Sequence, residues 1–281
     1  MWCVQSASSS KDSEEHADQS GGSSSERKEY YKDFAKHMSE RTVVRSDRLR
    51  GDEFVQEVID LLGLPDRTAD YQVVHPMSQG NDGEIFKLII NHEPHVVKIY
   101  KTGLNAQYVH LQKTLLVYRD HPDAIRHPGY EAVYYTAVPV GWVTHMDKKG
   151  LVFRYVVQPR KARSPTASDR AQVRAQMQFL HWLGFCHLDI TKRNILLADN
   201  GKCYLMDFDC VCRIGKIPLG PLPPESSEPI LRRDPAQLED DLQLWQLLQG
   251  SFFTDLQPES VTIEQYKSEV DEEKKKPTAC K

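Results

Sequence analysis

The stretch FCHLDITKRNILLADNGKCYLMDFD, residues 185–209, decides how the rest of the chain is read. Its middle is an apolar run, an Asp199-Asn200-Gly201 turn and a second apolar run. That pattern predicts a hairpin, because Asn-Gly supplies the positive φ that a tight turn between strands needs. The hairpin would gather Asp189, Asn194 and Asp207 at one edge of a small sheet. Two carboxylates and an amide placed together suit divalent-metal phosphate chemistry. Mg²⁺ takes oxygen ligands from one or two carboxylates and fills the remaining positions with phosphates and water.

The chain has 281 residues and a formal net charge of -4. That length holds one substantial domain plus tails. The near-neutral balance gives no whole-chain case for nucleic acid, and no nucleic-acid partner is expected. No apolar run is long enough to cross a bilayer, so no membrane association is expected either. The opening MWCVQSASSS lacks the charged and long apolar regions of a secretory signal. Cys3 and Cys280 lie in the tails, while Cys186, Cys203, Cys210 and Cys212 sit in or beside apolar strands. Such spacing predicts reduced thiols and an intracellular protein, cytoplasmic or nuclear.

Residues 1–28 are rich in Ser, Gly, Asp and Glu and are expected to be a disordered tail. Residues 29–64 read as a helical extension of two short helices. Tyr30, Tyr31, Phe34 and Met38 have helical spacing in the first, and Phe54, Val55, Val58, Ile59, Leu61 and Leu62 share a face of the second. Packing on the main domain is the expected role of these helices, with recruitment of a partner as the alternative. From Tyr71 the period becomes that of strands. Three of them carry a Gly-rich turn, Ser78-Gln79-Gly80-Asn81-Asp82-Gly83, and a lysine in an apolar setting, Val96-Val97-Lys98-Ile99-Tyr100.

This set, with His187-Leu188-Asp189, Asn194 and Asp207-Phe208-Asp209 following in order, resembles the protein-kinase-like superfamily. The resemblance covers about residues 65–255. It implies an α+β, two-lobe fold: a small antiparallel β-sheet N-lobe and a shortened, mainly helical C-lobe, with ATP between them. Gly80 and Gly83 would lie over the phosphates, with Ser78 where a first glycine is usual. Lys98 would reach the α- and β-phosphates. Glu131, the only glutamate between Lys98 and the next strand, would be its partner. Phe153 would line the back of the adenine pocket, and the backbone of Arg154 to Val156 would bond the adenine edge. Asn194 and Asp207 would hold Mg²⁺, and Asp189 would orient or deprotonate the acceptor hydroxyl. Ser168 or Asp169 would cap a helix reaching Trp182. Asp240 or Asp241 would accept hydrogen bonds from the catalytic-loop backbone, and Pro223-Pro224-Glu225 would close the activation segment. Residues 256–281 are expected to be a charged, disordered tail.

Three departures from the superfamily pattern bear on function. Leu188 stands where an arginine usually reads an activation-loop phosphate, so control by such a phosphate is not expected. Asp209 replaces a glycine and adds an acid beside the metal site. Thr191 stands where Ser/Thr kinases carry a lysine, which leaves Lys192 or Arg193 to steady the transferred phosphate. The implied function is that of an atypical protein kinase using Mg²⁺ and ATP on a protein Ser/Thr hydroxyl. The alternatives are a small-molecule kinase of the aminoglycoside- or choline-kinase kind, and a pseudokinase that serves as a binding module.

Overall fold

A computed structural model describes residues 51–79, 83–101, 106–119, 127–159, 161–218 and 235–275. The tail at 1–28, the first N-terminal helix, Gly80 and Pro223-Pro224-Glu225 lie outside the described residues.

Helix α1 (Gly51–Leu62) opens with Asp52 and Glu53, acids that favour a helix N-terminus. It buries Phe54, Val55, Val58 and Ile59, the stripe that a 3.6-residue period brings to one face. Gly63 at φ 56° ends it. The helix is not an appendage. Phe54 meets Tyr100 edge-on at 5.5 Å and stacks on Tyr108 at 6.2 Å, and all three belong to one core. The core that follows residue 65 in sequence thus includes α1. Packing, rather than a free docking face, is what its apolar stripe does.

Five strands follow: β1 (Tyr71–Gln79), β2 (Gly83–Ile90), β3 (Glu93–Tyr100), β4 (Gly141–His145) and β5 (Lys148–Arg154). They form one antiparallel sheet in the order β1-β2-β3-β5-β4. Pro76 is tolerated because β1 is an edge strand. Between β3 and β4 run helices α2 (Ala106–Arg119) and α3 (Tyr130–Ala137). The sheet's alternation sorts its residues. Val97, Ile99 and Val152 enter a small cluster on one face, whereas Tyr100 and Leu151 join the main core.

Helix α4 (Ala167–Trp182) buries Val173, Met177 and Leu180 as its spacing predicts. Its cap is Thr166, not Ser168 or Asp169. Asp169 is instead the third residue of a capping box, taking hydrogen bonds from the Thr166 N–H at 2.8 Å and hydroxyl at 2.7 Å. Arg163, in the basic run before the helix, closes on the same carboxylate at 2.6 and 2.8 Å. Strand β6 (Phe185–Cys186) pairs with β9 (Cys212–Arg213), and β7 (Ile195–Leu197) pairs with β8 (Cys203–Leu205) around Gly201 at φ 77°. The predicted hairpin is therefore present. Cys186, Cys203, Cys210 and Cys212 are free thiols.

Helix α5 (Leu238–Ser251) is followed by α6 (Ile263–Lys275), inside the segment expected to be disordered. Two things order it. Tyr266 and Val270, one turn apart, are buried in the main core. Glu269 and Glu259 also take the guanidinium of Arg174 on α4. Thr262 and Gln265 form a reciprocal cap at its start, so the T-x-x-Q signature was present in the sequence. No described helix is long and apolar enough to cross a membrane.

Phe54→Ala should lower stability by about 3–5 kcal/mol, the cost of truncating a core aromatic; urea unfolding measures this, and a loss near zero would restore α1 to the status of an appendage. A second expectation concerns Asp169. Burial by itself would raise its carboxyl, but the Arg163 and Thr166 hydrogen bonds outweigh that and hold it at about 2. Its stabilisation is thus present above the ordinary value of 3.8 and lost as pH falls toward 2. Asp169→Asn should cost about 1–3 kcal/mol at neutral pH, and the gap to wild type should close across that acidic window.

Candidate active site

Lys98 is on central strand β3, opposite Ile85 and Leu151. The two-residue period puts it on the same side as Val96 and Tyr100, and all three line a cavity of about 280 Å³. Phe153, Arg154 and Val156 also line that cavity, as do Asp207, Phe208 and Asp209. The guanidinium of Arg154 is spent on the carbonyls of Tyr135 and Val138. Gly83 opens β2, and a Cβ there would lie 2.5 Å from the Ile99 carbonyl oxygen. The glycine is therefore required by the close approach of two strands.

Across the cavity, Lys98 Nζ donates to Asp207 Oδ1 at 2.8 Å and to Asp209 Oδ2. Burial alone would lower the lysine's pKa, but Asp209 and Asp207 outweigh it and raise the value above the ordinary one. Burial likewise opposes ionisation of Asp207, and Lys98 wins, holding that carboxyl below its usual value. The turn that carries the two acids is pinned by Phe208, whose ring lies 6.4 Å from Tyr108 and 5.0 Å from His187. Asp207 takes a left-handed backbone, φ 63°. That conformation costs a residue bearing a Cβ about 1 kcal/mol or more.

The loop before β7 is held from beneath. The Asp241 carboxylate accepts the backbone N–H groups of His187 at 2.7 Å and Leu188 at 2.8 Å, together with His181 Nε2 at 2.9 Å. Tyr266 completes the chain, its hydroxyl 2.7 Å from His181 Nδ1. Of the two candidate acids, Asp241 therefore meets the loop, while Asp240 caps its own helix at the Gln237 N–H. His187 Nε2 faces the Met206 carbonyl and its Nδ1 accepts from the Asp189 N–H. Those partners select the neutral tautomer, and burial lowers the His187 pKa in agreement.

Asp189 is 5 % exposed. Asn194 Nδ2 donates to its side chain at 2.7 Å and to its carbonyl at 2.9 Å, which leaves the amide oxygen of Asn194 for another ligand. Arg193 stands 3.5 Å from the Asp189 carboxylate, and Lys192 is exposed beside it. Burial raises the Asp189 pKa, and the nearby charge of Asp207 adds to the rise. The Met206 N–H donates to the Asn194 carbonyl at 2.9 Å, which ties the two halves of the predicted cluster together.

Glu131 does not join the cluster. Its side chain is 84 % exposed, with Lys202 at 3.9 Å. The reason is helical geometry: Val133 and Ala137 are the buried face of α3, and position 131 points away from it. Helix α2 carries no acid at all. The carboxylate that reaches Lys98 beside Asp207 is Asp209, and its presence at a glycine position was the signal in the sequence. Tyr266 and His181 gave no comparable signal, because their link to the loop runs through tertiary packing.

No family model matches the chain. It is 28 % identical over 142 residues to the tyrosine-protein kinase SRK2 of Spongilla lacustris, covering 48 % of this chain and 38 % of that protein. It is 24 % identical over 157 residues to the serine/threonine-protein kinase WAG1 of Arabidopsis thaliana, covering 53 % of this chain and 33 % of that protein. The chain thus spans about a third of the length of these curated relatives. A kinase-like phosphotransferase is what the likenesses suggest, and the mixed α/β architecture with its antiparallel sheet is compatible with it.

Tyr266→Phe removes the hydroxyl partner of a fully buried imidazole. It should lower stability by about 1–3 kcal/mol, read by denaturant unfolding, whereas an unchanged midpoint would mean that the brace through Asp241 does not need α6.

Proposed function

We propose that the chain is an atypical protein kinase of two-lobe build, moving the γ-phosphate of ATP to a Ser/Thr hydroxyl of a protein. The observation that carries this is the ion pairing of Lys98 with Asp207 inside a cavity whose remaining walls are largely apolar. An apolar slot with a few convergent polar groups suits a planar base joined to a charged tail. Phe153 and Val156 would cover the adenine, and the backbone of Arg154 to Val156 would bond its edge. Lys98 would give a positive charge to the phosphates. The donor set of one carboxylate and one free amide oxygen, Asp207 and Asn194, fits Mg²⁺, which would neutralise charge on the phosphates when bound. Gly83 would border the phosphate end.

Asp189 is the proposed base. The hydrogen bond donated by Asn194 Nδ2 orients its carboxylate, and its raised pKa makes it a better proton acceptor. Arg193, close to that carboxylate, and exposed Lys192 are the cations at hand for the transferred phosphate. Leu188 is buried with Cys186, Cys212 and Ala236, so the position that would read an activation-loop phosphate is apolar.

The test begins with thermal unfolding in Mg²⁺-ATP. Saturation at about one hundred times Kd adds roughly 2.7 kcal/mol, a rise of about 5–10 °C for a domain of this size. Incubation of the protein with radioactive ATP and lysate should label proteins. Asp189→Asn should keep the thermal shift and lose labelling by about a hundredfold or more. The rate should fall as pH drops through the raised Asp189 pKa, because the base must be ionised. No shift and no label would overturn the proposal, and label confined to metabolites would replace the protein acceptor by a small molecule.

A further inference from the structure

We infer that Asp209 is the positioning residue for Lys98, doing from the metal-site turn what a helix glutamate would otherwise do. The inference rests on the phosphotransferase reading and deepens it.

Three observations converge. First, Lys98 hydrogen-bonds two acids, Asp207 and Asp209. Asp207 is the proposed Mg²⁺ ligand, which leaves Asp209 for the ammonium once the cation binds. Second, neither helix beside β3 offers one: α2 contains no acid, and Glu131 on α3 is 84 % exposed beside Lys202. Third, the Asp209 side chain is 9 % exposed and hydrogen-bonds Lys98, itself 12 % exposed. Asp209 needs no glycine-like backbone to do so, because the left-handed residue of this turn is Asp207.

The turn also fixes Asp209 rigidly. Phe208 is buried between Tyr108 and His187, and the Val211 N–H closes the turn on the Phe208 carbonyl at 3.0 Å. Asp207 and Asp209 thus straddle an anchored ring and both face Lys98. When Asp207 turns to a cation, Asp209 keeps the ammonium in place. The anchor of Lys98 and the metal ligand then belong to one turn, and Lys98 is positioned without any movement of α2 or α3.

The variants are Asp209→Asn, which keeps the shape and removes the charge, Asp209→Glu, which keeps the charge, and Glu131→Gln. Fluorescence titration with Mg²⁺ and a non-hydrolysable ATP analogue is the readout, at several Mg²⁺ concentrations. Asp209→Asn should weaken nucleotide binding by about thirtyfold or more, the low end of what breaking a buried charge pair costs. It should also raise the Mg²⁺ needed for half-saturation, because Lys98 then falls wholly on Asp207. A merely structural residue would not move that Mg²⁺ dependence. Asp209→Glu should recover binding in part, and Glu131→Gln should match wild type. Wild-type-like binding in Asp209→Asn, or a loss in Glu131→Gln instead, would overturn the assignment. A double-mutant cycle of Asp209→Asn with Lys98→Met, by unfolding without nucleotide, tests the pair independently. Additive effects there would overturn it even if nucleotide binds. If the wild type binds no nucleotide, the phosphotransferase reading falls, while coupling in the cycle would still establish the pair.

Discussion

A charged ammonium group leaves water only at high cost unless partners meet it. Burying Lys98 on the central strand of the sheet would cost several kcal/mol if it stayed charged and alone. Asp207 and Asp209 meet it from a turn more than a hundred residues further along the chain. The sheet and the β7–β8 hairpin are therefore joined across the cavity by charge, while apolar packing surrounds the joint. Phe208 sets the distance. Its ring is held by Tyr108 from α2 and His187 from the loop, so the two acids on either side of it have little freedom to turn away.

A second buried charge governs the other end of the loop. Asp241 accepts two consecutive backbone N–H groups and an imidazole, with no water needed to satisfy it. Burial would raise its pKa, and the His181 hydrogen bond overcomes that and lowers it. Leu188, the second of those N–H donors and the residue before Asp189, sits at φ 64°. A strained backbone of that kind persists where surrounding bonds over-determine it. The loop is thus drawn toward α5 by its backbone, while the Asp189 side chain is held by Asn194. Helix α6 reaches the same brace through Tyr266, which makes a highly charged terminal segment part of the support for the proposed base.

The hairpin, the lysine strand and the order of the motifs were legible in the sequence because each depends on neighbours a few residues away. Gly201 marked its turn, and alternation in Val96-Val97-Lys98-Ile99-Tyr100 marked which residues share a face. The cluster of Asp189, Asn194 and Asp207 followed from that local geometry. Two expectations failed for one common reason. Glu131 had the right residue type in the right stretch, but its helix buries Val133 and Ala137 and turns the acid outward. The last segment read as a charged tail, although Tyr266 and Val270 lie one turn apart and its glutamates have an arginine partner on α4. The N-terminal helix packs as its apolar stripe leads one to expect, with Phe54 in the central core.

The sequence by itself determined the local elements, the candidate acids and the lysine that they serve, since hydrophobic period and turn chemistry act over short spans. Only the tertiary structure decided which acid meets which cation. A buried ion pair forms where desolvated groups come within a few ångströms of each other, and that distance is set by the packing of helices and sheet. Separation along the chain carries no information about it, so Asp209 took the place at Lys98 that Glu131 had been expected to fill.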